Sequence, residues 1–326
     1  MRFLICLFFI SLVLGTLNSN SYYQQQFNKY KEQYHKVYSS RQEMRYRLQM
    51  FAYNMNKIEI ENKKNHSYEL GWSPFIDMSN DEFKSSKLCG CLLDNSQNKI
   101  YRMRSLNILK VPDHVDWREE GYVNEVKNQL FCGSCWAFSA VAAMEGVIAM
   151  KEGALYNLSE QQLVDCDSQS LGCNGGLMDY AFEYVIGNEG ICSEEDYPYT
   201  AQDDDCKSDE CTPKGKIINY VDVVPKDGDA LLEAISQNVV SVAVEADSFI
   251  FQAYKSGIVD SEECGTKVNH GVAAVGYGLE ENRMYYIIRN SWGKDWGDNG
   301  YIKILHTHFD EGICGINLAA SYPVAE

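Results

Sequence analysis

The sequence predicts an α+β protein with a helix-rich half and a strand-rich half, preceded by a small helical segment. Three observations carry that expectation. Residues 136–150 are almost entirely apolar and stop at Lys151-Glu152-Gly153, the pattern of a buried helix with a glycine stop. The stretch Val268-Asn269-His270-Gly271-Val272-Ala273-Ala274-Val275-Gly276-Tyr277-Gly278 and the run Met284 to Ile288 read as buried strands. Near the start, Met44, Leu48, Phe51, Met55 and Ile58 alternate spacings of four and three, so they share one face of a long amphipathic helix. Helices and strands kept to separate parts of a chain fit an α+β arrangement.

Met1-Arg2 followed by an apolar run to Leu17 has the form of a secretory leader, assigned to residues 1–19. That run is short for a bilayer span and no later stretch is longer, so no stable membrane anchor is expected. The destination is the secretory pathway, ending in a lysosome-like compartment or outside the cell. Twelve cysteines in such a chain favour disulfides over metal sites. His306-Thr307-His308 can face one way on a strand, but no third ligand lies nearby, so no metal and no cofactor is expected.

Charge is distributed unevenly. Residues 1–110 hold 16 basic and 9 acidic side chains, a net of +7, against 13 and 37 in residues 111–326, a net of −24. The acidic part would repel nucleic acid and anionic lipid, and its natural basic partner is the first third of the same chain. An acidic surface that merely keeps a secreted protein soluble fits equally well.

In that first third, Ser40-Arg41-Gln42-Glu43 has the form of a helix capping box. From Ser85 to Lys110 few large apolar residues occur, and the stretch reads as an exposed, cleavable connector holding Cys89 and Cys91.

The candidate nucleophile is Cys135, in the first turn of the buried helix, where unpaired N–H groups and the helix dipole favour a thiolate. A cysteine there also suits inert packing or half of a disulfide, a role that Cys132 takes more naturally. A nucleophilic thiol needs a base, and the base an orienting group. His270, at the mouth of one strand, and Asn290, in Arg289-Asn290-Ser291-Trp292-Gly293 after the next, are the candidates. Taken singly, His270 also suits a satisfied edge position and Asn290 a turn.

Cys132-Gly133-Ser134-Cys135-Trp136, with His270 and then Asn290 downstream, resembles the papain-like cysteine peptidases. Val111-Pro112-Asp113-His114-Val115-Asp116-Trp117-Arg118 is similar to the family's mature amino terminus. Glu43, Arg47, Phe51, Asn54, Ile58 and Asn62 fall at the spacing of the interrupted motif in cathepsin L-like prosegments. Gly71-Trp72-Ser73-Pro74-Phe75-Ile76-Asp77 resembles a second prosegment motif, with Ser73 where asparagine is usual. Gln129 is followed by Leu130-Phe131, where the family normally has glycine next.

The resemblance implies a papain-like two-lobed fold, with a helical left half, a β-barrel-like right half and the active-site cleft between them. Residues 20–110 would be an inhibitory propeptide with a cleavable linker, running through the cleft opposite to a substrate, and 111–326 the peptidase domain. Cys135 and His270 would form a thiolate–imidazolium pair and Asn290 would orient the imidazole. Trp292, counted among the substrate-binding residues, would shield that contact from water, and the Gln129 side chain with the Cys135 N–H would donate to the oxyanion. Gly175, Gly176, Leu177 and Met178 would form the substrate wall, and Ala243, Val268, Gly271 and Ala319 the rest of an S2 pocket. All are apolar or small, which implies Leu, Phe or Val at P2. No insertion before Leu171 resembles an exopeptidase loop, so an endopeptidase is expected. The resemblance pairs Cys132 with Cys173, Cys166 with Cys206 and Cys264 with Cys314; Cys192 and Cys211 flank one segment and are taken as a fourth bridge.

Expected partners are protein and peptide substrates, the chain's own prosegment and cystatin-type inhibitors, with the enzyme a monomer. Asn65 and Asn157 lie in glycosylation sequons. Two other functions share the scaffold: a peptide ligase using the same acyl-enzyme, and a catalytically silent binding protein, which would be expected to lack the nucleophile.

Overall fold

The computed structural model describes residues 22–88 and 111–326. The expected leader, Cys89, Cys91 and most of the connector lie outside the described residues. Helix α1 spans 22–33 and α2 spans Arg41–Glu61. Ser40 caps α2 by accepting from the Glu43 N–H, but the Glu43 carboxylate returns to Ser39 instead of Ser40. Half of the expected box is therefore displaced by one residue. Phe51 and Ile58 are buried, Leu48 and Met55 pack against the core, and Met44 remains exposed.

The interrupted motif on α2 has a physical explanation. Asn54 donates to the carbonyls of Ile76 and Met78, and Asn62 donates to and accepts from the backbone of Leu70. Arg47 reaches the Asp77 carbonyl and the Glu82 carboxylate. Side chains on one helical face thus satisfy the backbone of the returning segment, which carries strand β1 (Tyr68–Leu70) and helix α3 (Asn80–Lys87). α3 opens on a full capping box between Ser79 and Glu82 and buries Phe83, so Ser85, Ser86 and Lys87 are helical where a connector was expected.

After β2 (Val115–Asp116) come helices α4 (Cys135–Glu152), α5 (Glu160–Cys166) and α6 (Met178–Gly187). The strand-rich half follows with β3 (Ile217–Asp222), α7 (Gly228–Ile235), β4 (Val240–Val244), α8 (Phe249–Ala253) and β5 (Tyr254–Val259). It ends with β6 (His270–Glu280), β7 (Arg283–Arg289), β8 (Tyr301–Leu305) and β9 (Ala320–Ala325). The sheet runs β1-β5-β8-β7-β6-β4-β9-β3, with β2 also on β6.

Two apolar cores flank β6. Val272 and Ala274 enter one and Ala273 and Val275 the other, which is why this strand is apolar without alternation. α4 lies in the second core with 0% exposure at Trp136, Ala140 and Val141, and ends at Gly153 in the left-handed conformation. The first core is shared with the prosegment through Phe27, Tyr30, Phe51, Phe75 and Phe83. The prosegment also extends the sheet, since β1 pairs antiparallel with β5 at Tyr68↔Gly257. Gly257 has a φ of 85°, and a Cβ there would strike the Ser67 carbonyl, so glycine is required for the docking. Disulfides join Cys132 to Cys173, Cys166 to Cys206, Cys264 to Cys314 and Cys192 to Cys211. No helix among the described residues is long and apolar enough to cross a membrane.

Candidate active site

Cys135 is the first residue of α4, fully buried and, among the described cysteines, the one outside a disulfide. The Ser134 carbonyl accepts from the N–H groups of Ala137 and Phe138 at 2.9 and 3.1 Å, which starts the helix. No acidic residue occupies the first turn, so nothing competes with the Cys135 sulfur for the positive end of the helix. Tyr199 ties this corner together: its hydroxyl donates to the Gln129 carbonyl at 2.9 Å and accepts from Ser134 Oγ at 2.7 Å.

Across the cleft, His270 opens β6 and is fully buried. Its Nε2 meets Asn290 Oδ1 at 2.8 Å, and the same oxygen accepts from the Ser291 N–H at 2.8 Å. An accepting Oδ1 puts the imidazole proton on Nε2, leaving Nδ1 as the basic nitrogen, with no hydrogen bond. Trp292 covers the ring at a centroid distance of 4.7 Å and is itself 2% exposed. α4 is pressed onto β6 here. A Cβ on Gly271 would lie 3.1 Å from the Cys135 carbonyl oxygen, and Ser139 Oγ donates to the Val272 carbonyl at 2.7 Å. That packing brings the backbone of Cys135 against the residue after His270.

Burial pushes the His270 pKa down to about 4; the Asn290 bond opposes the shift and the nearby Lys87 ammonium adds to it. Above about pH 4 that shift favours the neutral imidazole while the site is covered.

Gln129 is held from both lobes. Its N–H donates to the Ser291 carbonyl at 2.9 Å, and Ser291 Oγ donates to its side-chain oxygen at 2.6 Å. That second bond turns the amide NH2 toward the cleft, where it meets the carbonyls of Cys132 at 3.0 Å and Lys87 at 3.4 Å. A carbonyl of the N-terminal segment thus sits on the Gln129 amide. Ser291, Tyr199 and Lys87 were not singled out from sequence; Ser291 was the most findable, being part of Asn-Ser-Trp-Gly.

Gly175, Gly176, Leu177 and Met178 are buried beside the Cys132–Cys173 bridge. Leu177, Met178, Ala243 and Val268 share one apolar cluster with Ala319 packed against it. Met178 Sδ lies 3.3 Å from the Gly271 Cβ position. The next residue, Asp179, accepts from Ser321 Oγ at 2.7 Å. Prosegment rings close the site, Phe75 and Phe83 standing edge-on to Trp292 at 5.7 and 5.4 Å. Ser73 Oγ anchors the second prosegment motif by donating to the Gln252 carbonyl at 2.5 Å.

A thiol heading a buried helix, packed against the strand that an imidazole opens and covered by the N-terminal segment, fits a thiol peptidase stored as a precursor. The papain family cysteine protease profile matches residues 111–324, and the cathepsin propeptide inhibitor domain profile matches residues 27–83. The chain belongs to the papain family of cysteine proteases. It is 44% identical over 303 residues to the KDEL-tailed cysteine endopeptidase CEP2 of Arabidopsis thaliana, covering 89% of this chain and 83% of that protein. Cysteine protease XCP2 of the same plant is 43% identical over 304 residues, with 91% of this chain and 85% of that one covered. Among solved structures, the recombinant stem bromelain precursor superposes with a TM-score of 0.87 at 38% identity, covering 93% of this chain and 99% of that one. Digestive procathepsin L 3 of the Tenebrio molitor larval midgut gives 0.82 at 37% identity, with 93% and 99% covered. The protein is thus a papain-like cysteine endopeptidase with its own prosegment as intramolecular inhibitor.

Proposed function

We propose that Cys135, His270, Asn290 and Gln129 carry out peptide-bond hydrolysis once the prosegment has left. His270 takes the Cys135 proton and the thiolate attacks the scissile carbonyl. Gln129 Nε2 and the Cys135 N–H stabilise the oxyanion, and the imidazolium protonates the leaving amine. A water deprotonated by His270 then opens the thioester and regenerates the thiol. Asn290 keeps Nε2 occupied throughout, so that Nδ1 is the nitrogen that works. The observation that carries this reading is the fixed orientation of the imidazole, with Nδ1 left without a hydrogen bond opposite the head of α4.

Residues 1–19 are the leader, 20–110 the prosegment with its linker, and 111–326 the mature enzyme, a monomer in a lysosome-like or extracellular setting. Cystatin-type inhibitors would occupy the cleft that the prosegment vacates. Asn65 and Asn157 are both exposed, which supports glycosylation at each. The apolar cluster of Leu177, Met178, Ala243 and Val268 supports Leu, Phe or Val at P2. A peptide-library profile led by P2 arginine would contradict that preference.

Activation occurs at acid pH. The charge imbalance between the two parts favours it, yet the prosegment is held mainly by apolar rings and backbone bonds. His270 supplies a sharper cause: closed, its pKa is about 4, and opening returns it toward the ordinary value. Protons therefore favour the open form as pH falls below about 6.5. The test is acid incubation of the purified precursor with a Leu- or Phe-containing fluorogenic peptide beside a Cys135→Ala control. Processing and signal in the parent alone are expected; equal signal from both sinks the reading.

A further inference from the structure

We propose that Asp229, His306 and His308 form a binding site for one first-row transition dication, zinc in the first instance. The sequence offered two histidines after β8 with no third ligand. The fold supplies one by laying the first turn of α7 beside them, where the Gly228 N–H donates to the His308 carbonyl at 2.7 Å. Asp229 Oδ1 lies 2.8 Å from His308 Nδ1 and 3.3 Å from His306 Nε2, and all three ligand atoms fall within 4.8 Å of one another. Zinc bonds of about 2.0–2.1 Å to nitrogen and oxygen in a tetrahedron put neighbouring ligand atoms roughly 3.3 Å apart. The triad needs only a small adjustment to reach that shape.

His306 is the second observation. Its side chain is 5% exposed and packed against the Tyr286 ring at 5.5 Å, and its Nε2 makes no well-formed hydrogen bond, only the 3.3 Å approach to the Asp229 carboxylate. A buried imidazole nitrogen so poorly satisfied, aimed at a carboxylate beside a second imidazole, has the surroundings of a metal ligand. Asp227, the cap of α7, and Asp310, which accepts from Thr307 between the two histidines, add negative charge around the same place. Three protein ligands leave a fourth position for water. The site lies in the strand-rich half, built on α7 and the chain after β8 and using no residue of the candidate catalytic set, so it does not depend on peptidase activity.

The test uses the Cys135→Ala precursor with accessible thiols alkylated, titrated with Zn2+ alone and with Co2+ as a spectroscopic probe. One equivalent of Zn2+, a tetrahedral-type visible spectrum with Co2+ and a Zn2+-dependent rise in thermal midpoint are expected. His308→Ala, at a side chain 71% exposed and so safe for folding, and Asp229→Asn should each weaken binding at least about tenfold. No binding by the parent, or binding that either substitution leaves unchanged, would overturn the three-ligand site.

Discussion

The ammonium of Lys87, near the end of the prosegment's last described helix, donates to the carbonyl of Leu130 at 2.8 Å. It lies 5.0 Å from the ring centroids of both Phe75 and Phe131, while the Lys87 carbonyl rests on Gln129. Leu130-Phe131 is where the central motif departs from its family, and the prosegment's lysine meets that departure. Leu130 takes a φ of 56° and its N–H donates to Asn128 Oδ1 in an Asx-type turn, which directs its carbonyl to Lys87. Burial, then Lys36, pushes the Lys87 pKa down to about 8. Because docking lowers this pKa from the ordinary lysine value near 10.5, docking weakens as pH falls from about 10.5 to about 8 and is constant below. Prosegment protection from hydrogen exchange should therefore strengthen between about pH 8 and 10, and Lys87→Met should flatten the trend.

The His270 linkage is a separate prediction. Histidine NMR titration of the Cys135→Ala protein should give a pKa near 4 with the prosegment in place and a value at or above 6.5 without it. By linkage that difference favours opening by up to about 3 kcal/mol at pH values below both. Equal values in the two forms would remove His270 as the acid sensor.

Ser291 holds Gln129 through the bond from its Oγ to the amide oxygen. Ser291→Ala should free the Gln129 amide to rotate and lower kcat by roughly tenfold or more with little change in KM. Gln129→Ala should cost roughly 10²–10³ in kcat. A Ser291→Ala enzyme with wild-type kcat would show that the 2.6 Å bond does not orient the amide.

Gly176 has no room for a side chain. Its Cβ would stand 2.6 Å from the Trp136 ring and 2.5 Å from Ser170 Oγ. Gly176→Ala should cost about 1–3 kcal/mol in urea unfolding and raise KM by displacing the wall.

Beneath the cleft, Lys127 pairs with Glu145 at 3.2 Å and Glu160 at 2.8 Å, and Arg289 approaches Glu145 at 3.7 Å. Glu145 is 1% exposed and also accepts from the Leu158 N–H. Glu145→Ala would strand buried positive charge and should destabilise the protein by roughly 3–5 kcal/mol, read from thermal or urea midpoints.

Legibility followed the range of the interactions. α4 could be read because its apolar run, its start at Cys135 and its stop at Gly153 are all local, and β6 because both its faces are buried. β1 could not: three residues, Tyr68-Glu69-Leu70, become a strand only because β5 offers them an edge. Ser85–Lys87 looked like connector because composition hides the Ser79–Glu82 cap that extends α3. In the site, Cys135, His270, Asn290 and Gln129 stood in recognisable surroundings. Lys87, Ser291 and Tyr199 act through partners far away in the chain, and so does Asp229 beside the two histidines. Spacing carries no trace of such pairings.

The central claim is that His270 makes Cys135 a nucleophile once the cleft is open. The pH dependence of Cys135 alkylation by iodoacetamide, compared in the mature enzyme and its His270→Ala variant, tests it most directly. The account predicts fast alkylation already near pH 5 in the parent, and in the variant a rate that rises only as an ordinary thiol ionises, near pH 8.5. Superimposable profiles would contradict it.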